Sequence, residues 1–195
     1  MQPIPTIDKV KANVAEVVDL DRFRRKLAAD KGFRTWLQRF QDQFGPDTRL
    51  EDLAPETLLY LATPGEENLY VFFDLIMGAK GLGGALRFRL DDLETPTKLR
   101  IMDAAFALMD RVRFEVMRRL GWVEEVPGEN VPLIALVQEA WLQGSAFSRE
   151  MPRLAPSHSN YESFQKMGPI DQGTAIRRLI PRAVAEFRSR VEVSA

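Results

Sequence analysis

Apolar residues recur along this chain at the three-and-four spacing of a helix far more often than at the two-residue spacing of a strand. Ile7, Val10, Val14, Val17 and Val18 follow that spacing, with Thr6 placed so that its hydroxyl can cap the first turn. Leu20, Phe23 and Leu27 either extend this helix or make a second one. Gly32 offers a left-handed stop, after which Phe33, Trp36, Leu37, Phe40 and Phe44 predict an amphipathic helix ended by Gly45-Pro46. Pro55 suits the start of a short helix reaching Ala62, because a proline in the first turn forfeits no intrahelical hydrogen bond. Thr63-Pro64-Gly65-Glu66 has the form of a capping box with proline at the first helical position, opening a helix to about Met77. Its residues Leu69, Tyr70, Val71, Phe72, Phe73, Leu75, Ile76 and Met77 are apolar nearly all round, which predicts a place at the centre of the fold.

Gly78, Gly81, Gly83 and Gly84 follow closely and predict a break in that helix, since glycine loses the most backbone entropy in regular structure. Leu86 to Leu90 alternates apolar and basic residues, the pattern of one short strand or hairpin. Thr95-Pro96 opens the longest helix, with Leu99, Met102, Phe106, Met109, Val112, Val116 and Leu120 on one face and Gly121 at its end. A connection over 123–130 leads to a buried helix through Leu133, Leu136, Val137, Ala140 and Trp141, ending near Gly144. The segment 145–173 is the least regular, with Ser159-Asn160-Tyr161-Glu162 as a second capping box. A final helix carries Ile176, Leu179, Ile180, Ala183, Val184, Phe187 and Val191, and Pro181 is expected to kink or split it. The pattern as a whole predicts an all-α fold: an irregular helical bundle of about seven to eight helices around an apolar central helix, with one short strand or hairpin near 86–90. No repeat period is evident, and 195 residues suit a single helical domain over 1–195.

Composition changes this picture mainly by exclusion. The chain has no cysteine, which removes disulfides, thiolate metal sites and cysteine nucleophiles. His158 is the only histidine, so one chain cannot assemble a zinc site of the usual nitrogen and sulfur type, and no metal or cofactor is expected. The first residues lack a basic segment followed by an apolar run, and the most apolar stretch, interrupted by Asp74, is shorter than the roughly 20 residues a membrane span needs. A cytoplasmic protein with no membrane span is the expectation.

The formal net charge of −1 gives no overall attraction to nucleic acid, which makes that partner unlikely. Charge is nevertheless segregated. From 47 to 74, Asp47, Glu51, Asp52, Glu56, Glu66, Glu67 and Asp74 stand against Arg49 alone, whereas 173–190 carries Arg177, Arg178, Arg182, Arg188 and Arg190 against Glu186. Arg177, Arg178 and Arg182 are therefore the candidate contacts for a protein partner or a second copy of the chain. The N-terminal basic residues Arg22, Arg24, Arg25, Lys26, Lys31, Arg34 and Arg39 read as the solvated side of helices whose aromatics, Phe33, Trp36 and Phe40, face the core.

A second candidate is a small-molecule or phosphate site at the glycine segment, where Gly81, Gly83 and Gly84 could offer backbone N–H groups, with Lys80 and Arg87 supplying charge. The spacing matches neither the Walker motif nor the dinucleotide fingerprint, so the commoner alternative is a plain connection. Asp74 needs a partner if buried. Asp103 and Asp110, like Glu67 and Asp74, are seven apart, a spacing that allows paired carboxylates but fits salt bridges to arginine better. Ser157-His158-Ser159 puts hydroxyls beside the imidazole without defining a triad, and no catalytic residue is assigned. Two functions follow: a non-enzymatic interaction or regulatory domain using the cationic C-terminal helix, or a small-molecule-binding protein or enzyme with its site where 78–84 meets 145–173.

Overall fold

The computed structural model describes residues 19–83, 92–144 and 150–194. The helix expected through Ile7 and Val18, the strand or hairpin near 86–90, Gly84 and Arg87 lie outside these residues. Among the described residues there are eight α-helices: α1 (Leu20–Gly32), α2 (Arg34–Phe40), α3 (Pro55–Ala62), α4 (Glu66–Ala79), α5 (Thr95–Arg119), α6 (Leu133–Gln143), α7 (Tyr161–Gln165) and α8 (Pro169–Ser194). A 3-10 turn at Leu50–Asp52 precedes α3. Two short strands, β1 (Val123–Glu124) and β2 (Arg153–Leu154), pair antiparallel with Val123 opposite Leu154 and Glu124 opposite Arg153. The fold is an all-α irregular bundle, and among the described residues no helix is long and apolar enough to cross a membrane.

The centre is shared by two helices. α4 buries Val71, Phe72, Phe73, Leu75, Ile76 and Met77, as its all-round apolar pattern predicts. α5 packs against α3, α4, α6 and α8, so in its second half Arg111, Val112, Phe114, Glu115, Val116 and Met117 are all buried. In its first half the buried positions are Ile101, Ala104, Ala105, Ala107 and Leu108, while Leu99, Met102 and Phe106 are exposed. Leu99, Met102 and Phe106 thus face outward, the reverse of the sequence expectation, whereas Met109, Val112, Val116 and Leu120 of the same stripe are buried as expected; alanines make up most of the inner face of the first half.

Trp36 is fully buried in α2 and donates its indole N–H to the Val71 carbonyl at 2.9 Å, joining α2 to α4. α2 stops earlier than Gly45-Pro46 suggests, at Gln41, whose φ of 57° is left-handed. Phe44 still packs on Phe33, with ring centroids 5.1 Å apart, so the aromatic pattern marks a core cluster that outlasts the helix.

Gly32 and Gly78 are not stops. Gly32 closes α1 in helical geometry and the chain passes through Phe33 directly into α2, while α4 continues through Gly78 to Ala79. Both glycines permit close packing of α1 on α4. The real stop is Gly81, at φ 72°, where Leu82 N–H donates to the Met77 carbonyl and Gly81 N–H to the Gly78 carbonyl. Gly121, at φ 74°, ends α5 as expected, with Trp122 N–H on the Met117 carbonyl.

The capping box at Thr63 is replaced by another device. Thr63 donates its hydroxyl to the Leu59 carbonyl at 2.7 Å, and Gly65 occupies the position before α4. Buried Asn68 instead reaches back from α4, its amide donating to the carbonyls of Tyr60 at 2.7 Å and Thr63 at 2.5 Å, so the end of α3 is capped from the next helix. Asn160 precedes α7 without a side-chain cap bond, so the second box does not form either. α8 starts at Pro169 and runs unbroken past Pro181, so of the expected kink or split the split does not occur; the proline costs one backbone donor but not the helix.

Candidate functional site

α8 does not present its arginines as one face. Successive residues on a helix point about 100° apart, so Arg177 and Arg178 diverge, whereas Arg178 and Arg182, four apart, share a side. Arg177 turns toward α5 and lies 3.4 Å from Asp110; Arg113 approaches the same carboxylate at 3.6 Å. These groups rim a groove of about 470 Å³ between α3, α5 and α8, with Arg188 on the same rim and Ala62, Pro64, Ile180, Pro181, Val184 and Ala185 as its floor. Arg113 also donates to the Ala62 carbonyl at 3.3 Å and Arg188 to the Thr63 hydroxyl at 3.4 Å, which holds both guanidinium groups at the rim. Among the described residues, three guanidinium groups and one carboxylate line this apolar surface.

Arg182 belongs to another place. Its guanidinium stands 5.4 Å from the centre of the Trp122 ring, and His158 packs edge-on against that ring at 5.2 Å. With Ser157, Ser159 and Glu186 these residues line a polar cavity of about 270 Å³. His158 Nδ1 accepts the Asn160 N–H at 3.2 Å, which leaves Nε2 as the protonated nitrogen of the neutral ring. Burial, and then the positive charge of Arg182, push the His158 pKa below its ordinary value; Glu186 opposes them. No hydrogen bond joins His158 to Ser157 or Ser159 among the described residues, so no nucleophile and base are paired here.

The glycine segment is described as far as Gly83. Gly81 N–H is already spent on the Gly78 carbonyl and Lys80 N–H on the Ile76 carbonyl, so these backbone donors close α4. Gly83 is exposed with φ 96°. Lys80 lies 5.2 Å over the Trp141 ring, and Arg100 lies 5.3 Å from the same ring. Burial, followed by repulsion from Arg100, lowers the Lys80 pKa. A cavity of about 480 Å³ beside Lys80 is walled by α1 and α6 and has no lining residue from 150–173. Lys80 and His158 thus lie on separate cavities, and the expected meeting of the glycine segment with 145–173 is not seen among the described residues.

The carboxylates considered for a metal are engaged elsewhere: Asp110 with Arg113 and Arg177, and Glu67 with Arg39 at 3.2 Å. Asp103 is exposed, and Asp74 is half-buried.

Two buried charges escape the sequence reading because both sit at helical spacing among apolar residues. Arg111 is 1% exposed and donates to the Glu150 carboxylate at 2.8 Å; burial lowers its pKa and that carboxylate opposes the shift. Glu115 is 2% exposed and receives hydrogen bonds from Arg118 at 2.7 and 2.9 Å and from Arg119 at 2.9 Å. Arg119 passes the connection onward, donating to the carbonyls of Leu50, Glu51 and Leu53. This network clamps the 3-10 turn to α5, which is a structural role.

Comparisons of this chain with protein-family models, with curated proteins and with solved structures give no match.

Proposed function

We propose that this chain is a binding module whose groove between α3, α5 and α8 takes an acidic segment of a protein partner carrying an apolar anchor. The observation that carries this reading is the excess, among the described residues lining the groove, of guanidinium over carboxylate, Arg113, Arg177 and Arg188 against Asp110, around an apolar floor. A partner carboxylate can form a charge-assisted, two-pronged hydrogen bond with a rim guanidinium, and an aliphatic or aromatic side chain can bury itself on Ile180 and Val184. The rim is partly exposed, with the Arg177 side chain 48% accessible, so the electrostatic part of binding weakens with salt. Of the arginines expected to meet a partner, Arg177 belongs to this surface, while Arg178 and Arg182 turn away from it.

The test is selection from a displayed random-peptide library on the full chain, followed by affinity measurement on the enriched peptides. The expected consensus places Asp or Glu beside Leu or Phe. The double variant R177Q/R188Q is expected to weaken binding by about tenfold or more, since hydrogen bonds to charged groups contribute about 1.5–3 kcal/mol each. Ala185→Trp, which fills the groove without changing charge, should block it. Enrichment of peptides with no acidic residue, or binding that neither variant alters, would overturn the proposal.

A further inference from the structure

The cavity beside Lys80 gathers positive charge that the α8 groove does not use, and the two share no lining residue. Arg24 and Arg25 come from α1, Lys80 from the end of α4, and Gln138 and Leu142 from α6. Asp21 is the acid among the lining residues; its contact with Arg24, at 3.6 Å between highly exposed side chains, offsets little of that charge. Arg25 Nε is buried and has no hydrogen-bond partner among the described residues, an arrangement that proteins avoid unless a ligand or water supplies the acceptor.

We propose that this cavity binds a small molecule bearing two or more linked phosphate groups. The phosphates would lie among the guanidinium groups of Arg24 and Arg25 and the Lys80 ammonium, giving Arg25 Nε the acceptor it lacks. Its volume of about 480 Å³ is in the range of small-molecule sites, about 300–1,000 Å³, and leaves room for an organic body beside Leu142 and the Gln138 amide. Side chains carry this site. The backbone donors of Lys80 and Gly81 are occupied in ending α4. Burial and Arg100 already disfavour the charged form of Lys80, and an anion beside it would reverse that tendency. Lys80 stands far from Arg24 and Arg25 in sequence, and it is the packing of α1 on α4 and α6 that unites them.

Isothermal titration of the full chain with inorganic tripolyphosphate and with adenosine diphosphate tests the inference. Saturable binding of at least one of them is expected, with Arg25→Gln and Lys80→Gln each weakening it by about tenfold or more, and Arg153→Gln, at an exposed position outside the cavity lining, leaving it within about twofold. Circular dichroism checks that each variant stays folded. Tighter binding of the nucleotide shows that the organic body is held; equal or tighter tripolyphosphate binding shows that the phosphate chain alone is recognised, and either supports the site. Dissociation constants above about 1 mM for both probes would overturn it, as would binding that both variants leave unchanged.

Discussion

Gly78 on α4 lies against the backbone of Gly32 at the end of α1, so closely that a Cβ on Gly78 would stand 2.9 Å from the Gly32 Cα and 2.6 Å from the Lys31 carbonyl oxygen. Neither atom belongs to a side chain that can swing aside. Alanine at position 78 gains about 1 kcal/mol of helix propensity but must force the two helices apart, and overpacking typically costs about 1–3 kcal/mol. Gly78→Ala is therefore expected to lower stability by up to about 2 kcal/mol, seen as a lower urea midpoint at unchanged slope. A raised midpoint would mean that α1 and α4 stand farther apart.

Gly173 should respond with the opposite sign. It lies inside α8, and a Cβ there would meet Met151 Cγ at 3.5 Å, an ordinary contact. Gly173→Ala keeps the propensity gain without the clash, so stability should rise by about 0.5–1 kcal/mol in the same urea experiment.

These two glycines show what the sequence could and could not convey. A glycine in a helical pattern has two physical uses, a left-handed turn or a close approach, and only a neighbour distant in sequence distinguishes them. Gly32 and Gly78 looked like stops for that reason, while Gly81 and Gly121 are stops. Helix existence was legible because a one-sided apolar stripe repeats over several turns, as in α6 and α8. The face of α5 was not: Leu99, Met102 and Phe106 outweigh Ala104 and Ala105 in hydrophobicity, yet the alanines allow the tight packing at the centre. The divergence of Arg177 from Arg178 follows from helical geometry alone. Their partners do not, since Arg177 meets Asp110 and Arg113 across a helix interface, and Arg25 meets the Lys80 cavity from another helix.

Glu115 is a buried acid that is costly to remove. It is 2% exposed and holds both Arg118 and Arg119, and Arg119 in turn anchors three carbonyls around the 3-10 turn. Breaking a buried ion pair from one side costs about 3–5 kcal/mol; because the arginine side chains are 30% and 19% exposed and can recover water, Glu115→Ala is expected near the lower end. Chemical denaturation should show that loss. Arg119→Lys keeps the charge but cannot reproduce the fork, and should increase hydrogen exchange at Asp52 and Leu53, whose N–H groups donate within the turn. A loss below about 0.5 kcal/mol for Glu115→Ala would show that the network adds little to stability.

His158 gives a pH dependence whose sign is fixed by its surroundings. Burial is the larger cause of its lowered pKa, the Arg182 charge the next, and Glu186 pulls the other way. In the unfolded chain the imidazole returns to about 6.5, so between that value and the lower folded one the unfolded state binds more protons. The associated stability is fully present above about pH 6.5 and is lost as pH falls through the folded value. The difference in unfolding free energy between the native chain and His158→Gln, followed across that interval, isolates this residue from the carboxylates that titrate below it. An NMR titration of the imidazole should give a midpoint below 6.5. Arg182→Gln removes the repelling cation and should move it upward while leaving it below 6.5, because burial remains; Glu186→Gln should move it further down. A midpoint that neither variant shifts would leave burial as the whole cause, and would separate Arg182 electrostatically from the ring it faces across Trp122.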